Sequence, residues 1–284
     1  MLIGLLSLSD LLLAEQTLTA EIAERIELGR VLGLQPRDER GQRERVSCKH
    51  VRQSLLLISL EEAGHAASRC HVLTETCAPL RSFCIRFPAT NAWRSLPPMK
   101  IARGSAGAAA VDGKIHVVGG RGLDGVTVSA HEVYDLQSGA WSDAAPLPAA
   151  RDHMVLMAVD GKIHAIGGRF KSPLERTGQH DVYDPATDKW TSAAPLPTPR
   201  SGLAGAYYHG LILVLGGELP PDHTFSENEG YDPKTDGWIT LTPMPHGRHG
   251  FGGSVIGENA YFVGGSLNPG GRGTTDQLIM YHLP

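Results

Sequence analysis

The stretch from Arg151 to Trp190, RDHMVLMAVDGKIHAIGGRFKSPLERTGQHDVYDPATDKW, decides the fold. An Arg opens it and an apolar run follows to Val159. Asp160-Gly161 then separates that run from a second one, Lys162 to Ile166. Asp-Gly between two apolar runs predicts a tight hairpin, because both residues tolerate positive φ. The second run stops at Gly167-Gly168, and a loop leads to a third short run, His180 to Tyr183. Asp184-Pro-Ala-Thr-Asp188 places Pro where a turn accepts it, and a fourth run carries Trp190. The segment therefore predicts four short antiparallel strands.

Outward from this stretch the pattern repeats. The Trp residues are Trp93, Trp141, Trp190 and Trp238, spaced by 48, 49 and 48. Gly119-Gly120, Gly167-Gly168, Gly216-Gly217 and Gly264-Gly265 keep the same spacing. Arg103, Arg151, Arg200 and Arg248 each precede a Gly pair by 16, and Tyr134, Tyr183 and Tyr231 each precede a Trp by seven. Landmarks in one register mean one structural unit copied along the chain. A single four-stranded sheet cannot bury both faces, whereas sheets stacked face to face around an axis can, which makes a β-propeller. The Gly pairs leave room where neighbouring sheets meet, and Tyr and Trp supply apolar area between them.

On the Arg, Gly-Gly, Tyr and Trp landmarks, residues 88–284 resemble the kelch-repeat family. The resemblance implies an all-β propeller with four recognisable four-stranded blades, at about 94–141, 142–190, 191–238 and 239–284. The last unit ends at Tyr281 to Pro284 without a fourth strand, and its Tyr281 lies 17 residues past Gly264 against 15 or 16 elsewhere. Residues 88–96, which look like an isolated fourth strand, could complete it and close a four-blade ring. The other reading is a fragment of a larger ring.

Residues 1–87 read differently. All four Cys lie there (Cys48, Cys70, Cys77, Cys84), while every Trp and Tyr and 17 of 19 Pro lie beyond. Leu11, Ala14, Leu18, Ile22, Ile26 and Leu32 recur at near-helical spacing, so a partly helical, poorly ordered extension is expected. A shifted reading frame that has displaced native blades is the competing account. Met1 to Leu6 is apolar but has no basic residue, and Asp10 interrupts it, so no secretory signal peptide is expected. The Cys spacing fits neither a zinc knuckle nor a disulfide framework. No metal or other cofactor is expected.

With 284 residues, 26 Lys+Arg against 30 Asp+Glu and a net charge of −4, the chain is no general nucleic-acid binder. It lacks any run of 18 apolar residues, so no membrane helix is expected. The compartment stays open. Function is expected on the face that carries the loops between second and third strands (121–130, 169–179, 218–227, 266–275) and the loops between units. Arg103, Arg151, Arg200 and Arg248 could form a cationic ring for an acidic ligand, or each could tie down its own loop. Arg121, Arg169 and Glu218 follow Gly pairs, while Asp152, His153 and His249 follow repeat Arg residues. These complete the candidate ligand-binding set. Asp222, His223, Glu227 and Glu229 suggest an acidic patch. His246 and His249 give only a weak metal signal, and His116 and His164 look structural. The expected function is a binding module for a protein segment or small acidic ligand. The alternative is a carbohydrate-active enzyme of the sialic-acid mutarotase type, using His153, Glu218 and Arg169.

Overall fold

The computed structural model describes residues 95–283 and, before them, the strands Leu55–Leu56, His71–Thr74, Phe83–Phe87 and Ala92–Ser95. Each unit forms one antiparallel sheet with its strands in chain order. Unit one pairs Gly107–Val111, Lys114–Val118, His131–Asp135 and Ala140–Asp143. Unit two uses Val155–Val159, Lys162–Ile166, His180–Asp184 and Lys189–Ser192. Unit three uses Ala204–Tyr208, Leu211–Leu215, Asn228–Asp232 and Gly237–Thr240. Unit four has three strands, Gly252–Ile256, Asn259–Val263 and Leu278–Tyr281. The architecture is a β-propeller.

The hairpin turns form as their sequence dictates. Asp112, Asp160 and His209 take φ of 49°, 50° and 48°, and Gly113, Gly161 and Gly210 take 69°, 72° and 82°. Two successive positive φ values match the twist of the strands that the turn joins.

The repeated residues are explained by contacts between units. First strands lie side by side and must be slim. A Cβ on Gly107 would stand 2.6 Å from Leu156 Cβ, and one on Gly253 would stand 2.7 Å from the Gly205 carbonyl. The second Gly of the first three pairs donates to the next unit's Arg carbonyl: Gly120 to Arg151 at 3.0 Å, Gly168 to Arg200 at 3.0 Å, Gly217 to Arg248 at 2.8 Å. In units one to three the Trp indole N–H reaches back to the linker before its own unit. Trp141 donates to Pro97 O, Trp190 to Ala145 O and Trp238 to Ala194 O, at 2.7–2.8 Å. Met99, Leu147, Leu196 and Met244, at matching places beside Pro in the linkers, are buried.

His116 and His164 are structural, as expected. His131 Nδ1 faces Ala145 O at 3.0 Å, so it carries the proton and leaves its Nε2 to accept from His116 Nδ1 at 2.9 Å. His164 and His180 repeat this at 2.9 Å, with His180 Nδ1 3.1 Å from Ala194 O. Each pair packs on the next unit's Tyr, with His131 4.6 Å from Tyr183 and His180 4.4 Å from Tyr231 between ring centroids.

The strands before unit one correct one expectation and leave another untested. The described parts before residue 88 are strands, and the proposed helix at residues 11–34 lies outside the described residues. Ala92–Ser95 does not complete unit four. It pairs with Phe83–Phe87, with Trp93 opposite Arg86, as the fourth strand of a sheet that starts at Leu55–Leu56. The physical reason is the register. Tyr134↔Trp141, Tyr183↔Trp190 and Tyr231↔Trp238 are the matching pairs in units one to three. Arg86 precedes Trp93 by seven residues, the spacing at which Tyr and Trp pair in units one to three.

Candidate functional site

The repeat Arg residues are ties and not a cationic ring. Arg103, Arg151, Arg200 and Arg248 are at most 3% exposed. Arg103 donates to Gly119, Ile101 and Val117 carbonyls at 2.8–3.0 Å and to the Glu132 carboxylate. Arg200 does the same with Gly216, Thr198 and Val214 carbonyls and Glu229. Arg151 bonds Gly167 and Ala165 carbonyls and pairs with Asp181 at 2.7 Å. Arg248 meets Gln277, whose Oε1 accepts at 2.9 Å, where the other units have a carboxylate. Burial lowers the pKa of Arg151 and Arg200, and the facing carboxylates counter it. The roles of these carboxylates were missed in the sequence, although they recur 29 or 30 residues after each of the first three repeat Arg residues. The suggested acidic patch is split accordingly: Glu229 is Arg200's buried partner, whereas Asp222 and His223 are exposed.

The non-repeating candidates do come together. The residue after each repeat Arg pairs across the backbone with the residue after the Gly pair: Gly104 with Arg121, Asp152 with Arg169, Ser201 with Glu218, His249 with Ser266. The next position forms a hydrogen-bonded chain across the units. His153 N–H donates to Ser105 O at 3.0 Å, Gly202 to His153 O at 2.9 Å and Gly250 to Gly202 O at 2.9 Å. All four take positive φ, from 54° at Ser105 to 76° at Gly202.

Charges alternate along this mouth. Arg121 Nη1 lies 3.7 Å from Asp152 Oδ2, and Arg169 Nε donates to Asp152 Oδ1 at 2.8 Å. Arg169 Nη1 reaches Glu218 Oε1 at 3.3 Å, and His249 Nδ1 lies 3.4 Å from Glu218 Oε2. His153 Nδ1 is 2.5 Å from Asp152 Oδ1, and Arg169 Nη2 is 3.2 Å from His153 Nε2. Asp152, Arg169, Glu218 and His249 are buried; only Arg121 and His153 are partly open. Burial alone would raise the Asp152 pKa, but the His153 hydrogen bond and charge, with Arg169, bring it below the ordinary value. His246 is exposed and His249 buried, and among the described residues no cluster of three or more metal-ligating side chains forms.

A groove of about 550 Å³ lies beside this mouth, lined by Gly125, Val126, Thr127, Ala150, Phe170, Lys171 and Glu175. Its walls are the second-to-third-strand loops of units one and two. Thr127 Oγ1 donates to Phe170 O at 2.6 Å and Arg121 Nη1 to Lys171 O at 3.0 Å, so the walls are tied together. The same loops expose Leu123 (70%), Val126 (56%) and Leu174 (67%). None of the lining residues was singled out in the sequence. Apolar residues inside a non-repeating loop were the available signal.

Over residues 77–265 the chain matches the kelch-repeat domain of the KLHDC2/KLHL20/DRC7 type. It belongs to the kelch-repeat family. No curated protein matches it. Among solved structures it is similar to that of YjhT, at 19% identity and a TM-score of 0.59, over 65% of this chain and 66% of that one. This chain thus spans just under two thirds of that structure, and the likeness is one of fold.

Proposed function

We propose that this propeller is a binding module whose ligand, an apolar protein segment, seats in the groove between the second-to-third-strand loops of units one and two. The preformed groove, lined by Val126 and Phe170 and with Leu123 and Leu174 exposed on the same two loops, carries the reading. A kelch propeller is a rigid scaffold, and loop residues on such a scaffold are where recognition arises. Exposed apolar side chains beside a concave site are unusual on a monomer surface and mark contact surfaces. Exposed Lys171 and half-exposed Arg121 favour an acidic residue next to the apolar anchor. The carbohydrate-enzyme alternative is not favoured, because Arg169 Nε and Nη1 are already held by Asp152 and Glu218, which leaves no two-pronged fork for a sugar carboxylate. A displayed-peptide selection against the full chain, followed by calorimetry, tests the reading. Selected peptides should lose affinity about tenfold or more with Val126→Asp or Phe170→Ser, as expected for loss of a buried apolar anchor. Unchanged affinity for both variants would move the site elsewhere.

A further inference from the structure

A second constellation lies at the inner mouth, apart from the groove. Ser105 Oγ stands 3.4 Å from His153 Nε2, and His153 Nδ1 stands 2.5 Å from Asp152 Oδ1. Asp152 is fully buried and anchored by Arg169 Nε at 2.8 Å. A carboxylate can only accept, so His153 carries its proton on Nδ1; its Nε2 lone pair accepts from Arg169 Nη2 at 3.2 Å, with the Ser105 hydroxyl 3.4 Å from the same nitrogen. Ser105 and His153 are 48 residues apart and equivalent in the repeat. The backbone bond from His153 N to Ser105 O brings them together. Ser105 is held at φ 54°, a left-handed conformation that a serine adopts only when its surroundings impose it. The two remaining positions of this chain are Gly202 and Gly250, and a Cβ on Gly250 would meet nothing within 4 Å. A Cβ on Gly202 would instead stand 3.3 Å from His249 Cβ, so the open space is at Gly250.

We infer that Ser105, His153 and Asp152 form a nucleophilic centre able to cleave small carboxylic esters, with Ser105 the nucleophile, His153 the general base and Asp152 a positioning residue. Nucleophile, base and orienting acid in hydrogen-bond order are what acyl transfer needs, whatever the fold. Ser105 Oγ attacks the ester carbonyl carbon and its proton passes to His153 Nε2. The tetrahedral adduct collapses, the carbon–alkoxy bond breaks, and His153 returns the proton to the departing alcohol. Water then attacks the acyl-serine, gives a proton through His153 back to Ser105 Oγ, and releases the carboxylic acid. Arg169 Nη2, 3.2 Å from Nε2, donates to that nitrogen at rest. A carbonyl oxygen arriving there draws this donor to itself, which frees the base and stabilises the oxyanion. The 3.4 Å Ser–His separation is of the length found before substrate tightens such a contact.

The test uses the full chain with a fluorophosphonate probe, in which Ser105 Oγ displaces fluoride from phosphorus. Intact mass should rise by one adduct, and peptide mapping should place it on Ser105. Labelling should vanish in Ser105→Ala, fall about a hundredfold in His153→Ala, and persist in Ser142→Ala, a serine of an exposed outer strand. Hydrolysis of p-nitrophenyl acetate should follow the same order. Charged groups around His153 are Asp152 and Arg169, with Arg121 and Glu218 one step further out. Asp152→Asn should therefore move the inflection of labelling rate with pH downward, since the imidazolium loses its carboxylate; a purely structural role would leave the inflection in place. Wild-type protein that takes no adduct while its circular dichroism is native, or takes it elsewhere, overturns the inference. Neither result bears on peptide binding in the groove, and groove variants leave this test intact.

Discussion

At the scale of single residues, the Gly pairs separate two costs that usually come together. Gly216 and Gly264 hold matching positions with φ of 65° and 72°. A Cβ on Gly216 would lie 2.4 Å from the Arg248 carbonyl and 2.6 Å from Phe251, whereas on Gly264 it would meet only Thr275 O at 3.7 Å. Gly264→Ala should therefore cost only the left-handed backbone, about 1 kcal/mol. Gly216→Ala must also push two units apart and should cost about 3 kcal/mol or more. Equal shifts in urea midpoint would mean that inter-unit contact does not explain the repeat. These glycines were legible in the sequence because one steric demand recurs at every interface. The repeat Arg residues were only half legible: their register was plain, but whether a guanidinium faces solvent or carbonyls depends on what packs over it. Ser105 was not legible, because its role comes from a hydroxyl brought beside His153 by inter-unit stacking.

Between elements, the two histidine pairs predict acid sensitivity. Burial pushes the His116 pKa down to about 3 and those of His164 and His180 to about 4, and it also lowers that of His131. Neighbouring His131 lowers His116 further, and His164 does so for His180. The unfolded chain takes up these protons near pH 6.5 while the folded chain does not. Stability is thus fully present above about pH 6.5 and falls as pH drops from there toward about 4. Unit three supplies the control, for it has Leu213 and Asn228 at these positions, and Asn228 Nδ2 bonds Thr242 O at 3.1 Å as His131 bonds Ala145 O. His116→Leu combined with His131→Asn should flatten the slope of urea midpoint against pH over this window. A slope identical to that of the wild type would show that the acid response arises elsewhere.

For the whole molecule, the alternating charges from Arg121 through Asp152 and Arg169 to Glu218, with the His249 imidazole beside Glu218, connect all four units at one level. The pattern could not be read from sequence, since apart from Asp152 and Arg169 the partners sit on different units, and those contacts exist only once the units stack. Buried pairs of this kind are costly to break from one side, because the remaining charge keeps its desolvation penalty. Asp152 and Glu218 are at most 1% exposed. Arg169→Met should therefore destabilise the propeller by about 3–5 kcal/mol. Adding Glu218→Gln removes one stranded charge, so the double variant should be more stable than the sum of the single effects by about 1–3 kcal/mol. Added salt should change these differences little, because the pair is shielded from solvent ions. Urea unfolding of the four proteins at pH 7.5 measures the cycle. If Arg169→Met costs less than about 1 kcal/mol and the two changes simply add, the charges are accommodated at the mouth without holding the units together. The stacking of first strands and the Gly–Arg backbone bonds would then carry that role.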